Sequence, residues 1–354
     1  MNEFITKKPI VQQRLYVINR TGSGEASYIL LTHDRTEILT YQIKTDHWSA
    51  TKGISNFGVA VYKNFLYVIG GFDISKCVCI KRVSRFDPLS GIWLEQTPLQ
   101  TARQKFAVTV FEGKIFVIGG EGEDGMVLSS CEIYTPEVNT WQEGPPLISP
   151  RSNLSSVIFQ NEIYCAGGCY GGKCHKSFWV YEDKKWRELD RDYPQRLPHS
   201  LDRFCFVSFG RNLYFIGGVS CKIEKPSGKY RFMTERRMHS YTTSVSAMSR
   251  TEHGTDIVGE MISPWGNQLP AMMYGRHSAG AAVIGDRIYV FGGSLMETGQ
   301  AVRAVEYFSV SRGQWQEDFR FRKGDVSNVT CAILEVPNKL EENNLNERLR
   351  WVLW

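Results

Sequence analysis

The sequence predicts an all-β protein made of repeated sheets of four antiparallel strands, and three observations support this. A short apolar run followed by two glycines occurs five times along the 354 residues. Three of the four intervals between these runs are nearly equal. Each repeat also carries an aromatic residue, a turn and then a tryptophan, which is the pattern of a β-hairpin. Regular self-similarity at such a period indicates a fold built from stacked copies of one unit.

The glycine pairs set the period of the repeat. Their first glycines are 49, 48, 50 and 75 residues apart. We expect these glycines to be structural, because glycine lets neighbouring backbones approach closely where a strand leaves the core. The five pairs are Gly70 and Gly71, Gly119 and Gly120, Gly167 and Gly168, Gly217 and Gly218, and Gly292 and Gly293.

Each repeat has the same internal order. A strand of small residues, such as FAVTVF, precedes a tight turn and an apolar strand such as KIFVIGG. That apolar strand does not alternate with polar residues, so we expect both of its faces to be covered. A polar loop, a third strand and a fourth strand complete the unit. The aromatic pairs of the last two strands are Tyr41 and Trp48, Phe86 and Trp93, Tyr134 and Trp141, Tyr181 and Trp186, and Tyr307 and Trp315.

The repeated double glycines with spaced tyrosine and tryptophan resemble the kelch β-propeller family from about Leu15 to Pro337. The resemblance implies a six-bladed propeller with four antiparallel strands per blade, spanning residues 14–337. The first blade is degenerate, because RLYVIN lacks the glycines and no small-residue strand precedes it. We therefore expect the C-terminal strand VTCAILEVP to complete that blade and close the ring. Residues 1–13 would form an N-terminal extension, and 338–354 a C-terminal tail with helical character.

The fifth repeat departs from the pattern. Its interval is longer, and we expect enlarged loops within 219–265, with Trp265 as a displaced member of the aromatic pair. Residues 222–237 contain six basic and two acidic side chains. This segment is either a solvated surface loop or a basic flap that favours acidic partners.

Composition excludes several classes of protein. A net charge of +5 over this length is too small to indicate nucleic acid as the partner. The sequence has no apolar run of membrane-spanning length, so we expect no membrane association. Nine scattered cysteines and no export signal favour reduced thiols in the cytoplasm, with the nucleus also open.

Motifs for cofactors and catalysis are weak. Gly120, Gly122 and Gly125 spell G-x-G-x-x-G, but acidic residues lie within the loop and no helical pattern follows. Cys165, Cys169, Cys174 and His175 are spaced roughly like zinc ligands, yet Cys165 lies inside a predicted core strand. We therefore predict no cofactor, no metal and no enzymatic activity. A propeller oxidase, a class known among similar blades, remains a minor alternative.

The candidate binding residues follow from the resemblance to the kelch domains of BTB–BACK–kelch proteins. In that family, contacts come from the start of each blade's first strand and from the loop after the double glycine. Carried over by position, the strand starts give Ser55, Asn56, Gln104, Lys105, Ser152, Asn153, Asp202, Arg203, His277, Ser278, Ser327 and Asn328. The loops give Asp73, Glu121 and Tyr170, with Arg20 at the corresponding place in the first blade.

The resemblance implies recognition of a substrate protein or peptide for a cullin-3 ubiquitin ligase. Lys105 and Arg203 suggest that this partner has acidic or mixed charge. Cullin-3 itself would bind only through BTB and BACK domains, for which there is no room before Leu15. The alternative is a kelch scaffold that binds actin or another structural partner.

Overall fold

The computed structural model describes residues 11–31, 44–189, 197–242, 265–266 and 269–337. Nearly all regular structure in these residues is antiparallel β-sheet, arranged as six sheets that we number as blades 1 to 6 in chain order. From the inner to the outer strand, blade 1 consists of Val329–Pro337, Val11–Asn19, Glu25–Leu31 and Lys44–His47. Blade 2 consists of Gly58–Tyr62, Phe65–Ile69, Val83–Asp87 and Ile92–Gln96.

The remaining blades follow the same order. Blade 3 consists of Ala107–Phe111, Lys114–Ile118, Cys131–Thr135 and Thr140–Gly144, and blade 4 of Ser155–Phe159, Glu162–Ala166, Phe178–Glu182 and Lys185–Glu188. Blade 5 has three described strands, Cys205–Phe209, Asn212–Ile216 and Met238–Thr242. Blade 6 consists of Gly280–Ile284, Arg287–Phe291, Ala304–Ser309 and Gln314–Arg320.

The inner strands close into a ring. Each inner strand contacts the inner strands of the two neighbouring blades, and the cycle returns from blade 6 through blade 1 to blade 2. The predicted all-β propeller is confirmed, and six sheets in a closed cycle agree with six blades. The closure of blade 1 is also as predicted, because Val329–Pro337 pairs antiparallel with Val11–Asn19 along the whole length of both strands.

Shorter elements extend the loops after the glycine pairs. They are the hairpin of Cys169–Tyr170 with Lys173–Cys174, the hairpin of Val219–Ile223 with Tyr230–Thr234, the small sheet of Ile54–Ser55, Phe72–Asp73 and Val78–Cys79, and 3-10 turns at Ser49–Thr51 and Glu123–Gly125. The G-x-G-x-x-G glycines end in the single turn Glu123–Gly125, and the next element is the strand Cys131–Thr135, where a dinucleotide site needs a helix.

The aromatic pairs fill the outer part of the blades. In blades 3 and 4 the rings of Tyr134 and Trp141 lie 4.9 Å apart, and those of Tyr181 and Trp186 lie 5.2 Å apart. In blade 6 the pairing differs from the prediction, since Trp315 packs on Phe308 at 5.5 Å and Tyr307 packs on Tyr289. Phe308 precedes Trp315 by seven residues, the spacing of the aromatic pairs in blades 1 to 3, and it lies directly opposite Trp315 in the ladder.

Blade 5 keeps its aromatic pair in displaced form. Trp265 forms a β-bridge with Tyr241, and their ring centroids are 5.1 Å apart. Trp265 therefore takes the place of the missing hairpin tryptophan, as predicted. Tyr41, residues 1–10 and the predicted tail 338–354 lie outside the described residues.

The glycine pairs of blades 2 to 6 join each of these blades to the next. The amide of the second glycine donates to the main-chain carbonyl at the strand start of the following blade, over 2.7–2.9 Å. The five donor–acceptor pairs are Gly71 to Arg103, Gly120 to Arg151, Gly168 to Leu201, Gly218 to Arg276 and Gly293 to Val326. Both glycines of each pair have positive φ, and a Cβ on the first would lie 2.3–2.8 Å from that same carbonyl oxygen. No other residue type fits at this joint.

The Gly167→Ala substitution tests this account. A Cβ at Gly167 would lie 2.3 Å from the Leu201 carbonyl oxygen in a backbone with φ of +64°. We expect it to lower the free energy of unfolding by about 3 kcal/mol or more, measured by urea denaturation. Gly171→Ala is the matched control, because its φ is +59° and its Cβ would meet nothing within 4 Å. The control should cost about 1 kcal/mol, the left-handed backbone alone. Equal losses would disprove the steric role.

Candidate functional site

A circuit of main-chain hydrogen bonds runs around the mouth of the central channel. In blades 3 to 6, the residue two positions after the carbonyl that accepts from the glycine pair donates its own amide hydrogen. The acceptor is the carbonyl of the equivalent residue in the preceding blade. The bonds run from Lys105 to Asn56, Asn153 to Lys105, Arg203 to Asn153 and Ser278 to Arg203. Val329 then donates to Ser278, Arg20 to Asn328, and Asn56 to Arg20, which closes the circuit. All six blades take part in it.

Five residues of this circuit have left-handed backbone conformations. Their φ values lie between +50° and +54°, although none is glycine: they are Asn56, Lys105, Asn153, Arg203 and Ser278. This conformation costs about 1–2 kcal/mol for an ordinary residue, and asparagine tolerates it best. The strain lies where the backbone must bond to both neighbouring blades, and strained backbone often accompanies functional sites.

The side chains at this level line one cavity of about 830 Å³. The inner strands of all six blades also contribute to its wall, so the cavity is the mouth of the central channel. Of the residues expected from sequence, the cavity brings together Asn56, Lys105, Ser152, Asn153, Asp202, Arg203, His277, Ser278, Ser327, Asn328, Glu121 and Tyr170. Arg20 lines it as well.

Three expected residues lie outside this cavity. Ser55 forms a ladder pair with Phe72 in the small sheet of blade 2. Gln104 is buried, and its amide bonds to the side chains of Asn56 and Glu121. The carboxylate of Asp73 accepts hydrogen bonds from Ser75 and Lys76, so it stabilises its own turn beside a second, smaller cavity.

Other lining residues were not singled out from the sequence. Cys169 and Ser294 directly follow their glycine pairs, at the same position as Glu121, so the repeat register would have identified them. Phe232 comes from the enlarged loop of blade 5, and Met296 from the loop after the glycine pair of blade 6. Their residue types do not repeat from blade to blade, so the repeat pattern did not identify them.

The two cations expected to attract an acidic partner already have carboxylate partners. Lys105 Nζ lies 3.0 Å from Glu121 Oε2, and Arg203 Nε lies 3.3 Å from Asp202 Oδ1. Burial raises the pKa of Asp202, while the neighbouring Arg203 favours its charged form. These intramolecular pairs reduce the positive field that Lys105 and Arg203 present to a ligand.

Arg20 is a cation of a different kind. Its Nε and Nη2 donate to Asn328 Oδ1 at 3.2 and 3.0 Å, and its Nη1 donates to the Phe57 carbonyl at 3.3 Å. Among the ion pairs of the described residues it has no carboxylate partner. Burial lowers its pKa to about 10, so the guanidinium keeps its charge at neutral pH. It is half-buried and lines the cavity with donors to spare, and a partly desolvated charge of this kind is best satisfied by an opposite charge.

An amide chain extends from Arg20 across three blades. Asn328 Nδ2 donates to Asn56 Oδ1 at 3.0 Å, and Asn56 Nδ2 donates to Gln104 Oε1 at 3.0 Å. Gln104 then donates to Glu121 at 3.4 Å. The blade 1 to blade 3 side of the cavity therefore presents a connected polar surface with fixed donors and acceptors.

Buried arginines hold the strand starts behind the cavity wall. Arg103 Nη2 lies 2.8 Å from Glu132 Oε1, and its Nη1 donates to the carbonyls of Gly119 and Ser130. Arg276 pairs with Glu306 in the same way in blade 6. In blade 4 the glutamate is replaced by Trp179, and the Arg151 guanidinium lies 5.1 Å from its ring centroid, a cation–π contact.

The cysteine and histidine pattern of blade 4 is separated by the fold. Cys165 is buried inside its strand, while Cys169 and Cys174 lie opposite each other in the short hairpin. His175 Nε2 contacts the Tyr170 carbonyl at 3.0 Å. Within the described ranges, no group of three or more histidine, cysteine or acidic residues is arranged to hold a metal ion.

His277 makes the cavity sensitive to acid. Its ring contacts Ser278 Oγ at 3.0 Å and Ser294 Oγ at 3.4 Å. Burial, with a smaller contribution from Arg203, lowers its pKa to about 4. The unfolded chain has a histidine pKa of about 6.5, so it takes up the proton first as the pH falls. The contribution of neutral His277 to stability is therefore present above pH 6.5 and is lost as the pH falls toward 4.

We expect His277→Gln to reduce the acid sensitivity of folding. Between pH 7 and pH 5, its loss of unfolding free energy should be about 2 kcal/mol smaller than that of the wild type. Urea denaturation at both pH values measures this. Burial also lowers the pKa of His199 to about 4, so part of the acid sensitivity should remain in the variant. An unchanged difference between the two pH values would show that His277 is not held neutral.

The comparisons with known proteins agree with this architecture. The chain matches the KLHDC2/KLHL20/DRC7 Kelch-repeats domain over residues 10–218 and 56–262, and the Kelch motif over residues 275–317. Kelch-like protein 26 of Danio rerio is 24% identical over 290 residues, which cover 80% of this chain and 43% of that protein. Kelch-like protein 36 of Bos taurus is 29% identical over 299 residues, covering 81% of this chain and 43% of that protein.

A solved structure supports the fold. The protein described as "Structure of YjhT" superposes with a TM-score of 0.65 at 12% identity, covering 89% of this chain and 99% of that one. The chain spans less than half the length of the Kelch-like proteins that it matches. Among the described residues there is no helix with the length and apolar character needed to cross a membrane. The family match over more than half of the residues shows that this chain belongs to the kelch-repeat proteins.

Proposed function

We propose that this chain is a non-catalytic recognition domain that holds a segment of a partner protein at the mouth of the channel. One observation carries the proposal: polar side chains from every blade converge on a single cavity. Their backbones are fixed by a closed circuit of hydrogen bonds. A preorganised surface of this kind loses little conformational entropy when a ligand binds.

The chemistry of the wall favours a peptide ligand with a carboxylate. Arg20 can offer a guanidinium without a carboxylate of its own, and the amides of Asn56 and Asn328 flank it. Tyr170, which is 44% exposed, supplies an apolar contact on the opposite wall. An aromatic anchor combined with a charged hydrogen bond is the usual core of a protein interface.

The relation to Kelch-like proteins makes a substrate-recognition role for a cullin-3 ubiquitin ligase adaptor the first candidate. In such adaptors, cullin-3 is bound through the BTB and BACK domains, and the propeller only binds the substrate. The second candidate is a kelch scaffold for actin or another structural protein. Cullin-3 in complexes of the full protein would favour the adaptor, and co-sedimentation with actin filaments would favour the scaffold.

Affinity capture with the Tyr170→Ala variant tests the proposed site. Tyr170 is an exposed side chain at the end of a two-residue strand, so its removal should leave the fold intact. We expect proteins captured from cells by the wild-type chain to be recovered at least tenfold less with the variant, as quantified by mass spectrometry. Loss of a central aromatic contact of about 2 kcal/mol accounts for this factor.

Val138→Ala is the control for this experiment. Val138 is 64% exposed in the turn between the third and fourth strands of blade 3, at the opposite end of the strands from the cavity. Its partners should match those of the wild type. If Tyr170→Ala retains the same partners at the same level, the cavity is not the recognition site.

A further inference from the structure

We propose that the blade 5 hairpin, Val219–Ile223 with Tyr230–Thr234, is a second contact surface that binds an acidic segment of the partner beside the cavity. This inference rests on the proposed function, because it extends the same partner beyond the channel mouth. It commits to one occupant, a peptide that combines carboxylates with an apolar side chain.

The hairpin is well formed, and the last pair of its ladder is apolar and exposed. Its two strands pair in register through five residue pairs, from Val219 opposite Thr234 to Ile223 opposite Tyr230. Ile223 is 59% exposed and Tyr230 is 38% exposed. An adjacent isoleucine and tyrosine in water at a hairpin end form a small apolar contact surface that a ligand can cover.

Positive charge surrounds this pair. Lys222, Lys225 and Lys229 are exposed, and the ion pairs of the described residues include no carboxylate partner for them. Arg231 contacts Glu224 at 3.7 Å with both side chains more than half exposed, so that pair holds little energy. The hairpin therefore carries a local excess of cations, unlike Lys105 and Arg203 in the cavity, which are neutralised within the chain.

The base of the hairpin is anchored to the recognition face. The amide of Thr234 donates to Glu297 Oε1 at 2.8 Å, its hydroxyl donates to Glu297 Oε2 at 2.5 Å, and that hydroxyl accepts from the Met296 amide at 2.7 Å. Phe232, opposite Cys221 in the ladder, lines the cavity. A peptide that leaves the channel mouth on this side therefore meets the hairpin at a fixed distance and orientation.

The observations favour an acidic peptide over a nucleic acid. The cations are few and are interrupted by Glu224, which would face a phosphate backbone. Ile223 and Tyr230, the last pair of the ladder, can pack against an aliphatic or aromatic side chain that lies between the carboxylates of the peptide. Tighter binding of a nucleic acid than of an acidic peptide would therefore contradict this inference.

The test uses fluorescence anisotropy with a labelled peptide of eight glutamates around one leucine. We expect the wild-type chain to bind it, and Lys222→Glu/Lys229→Glu to raise the Kd at least tenfold. Binding should weaken between 50 and 200 mM salt, because exposed charges are screened. Lys184→Glu/Arg312→Glu is the matched control. It makes the same charge change in turns between third and fourth strands, away from this face, and should leave the Kd unchanged.

Each outcome separates the hairpin from the cavity. Equal Kd values for the hairpin variant and the control variant would overturn the hairpin inference. So would tighter binding of a labelled single-stranded DNA than of the peptide. The proposed function would still stand if Tyr170→Ala lost the captured proteins. If the hairpin variant lost the peptide while Tyr170→Ala kept every captured protein, the hairpin would be a contact surface and the cavity proposal would fail.

Discussion

Blades 2 to 6 are each joined to the next blade by a main-chain hydrogen bond that only a pair of glycines can make. The second glycine donates to the strand start of the following blade, and the first lies against the same carbonyl oxygen. Both residues need a backbone that other residues rarely adopt, and neither leaves room for a Cβ. Because the joint fixes the strand start, it also fixes the two residues that follow it, and these reach the channel. The steric rule of the fold thus positions the candidate site.

In the residues that follow the joint, the backbone and the side chain have different roles. Their backbones, from Asn56 around to Ser278, complete the hydrogen-bond circuit and accept a strained conformation to do so. Their side chains enter the cavity without a structural requirement of the same strictness. A lysine, an arginine, a serine and two asparagines therefore occupy equivalent places. This separation lets a rigid scaffold carry a variable recognition surface, since only the side chains need to change.

The features that recur in every repeat could be predicted from the sequence. The glycine period predicted the blades, and the unpaired C-terminal strand predicted the closure of blade 1. Most of the predicted site residues meet in one cavity, because they were located by their distance from the repeated glycines. What the sequence could not give depends on which side chains meet across the loops and turns of a repeat. The ion pair of Lys105 with Glu121 joins a strand start to a loop, and the turn made by Asp73 uses its carboxylate locally. The pairing of Trp315 with Phe308, by contrast, has the seven-residue spacing of the pairs in blades 1 to 3 and could have been predicted from it.

Specificity should lie where the repeat rule is broken, because the repeated joints cannot vary. The ladder register places Arg20 where the other blades have the second glycine. There the direct joint is lost, and the hydrogen-bond circuit runs through the arginine backbone instead. Because arginine stands in place of glycine at this position, its guanidinium lines the channel mouth. Blade 5 shows the second exception, since its loop after the glycine pair grows into a basic hairpin. Both exceptions add positive charge to the same face, and a partner with matching carboxylates is the simplest ligand that would use them together.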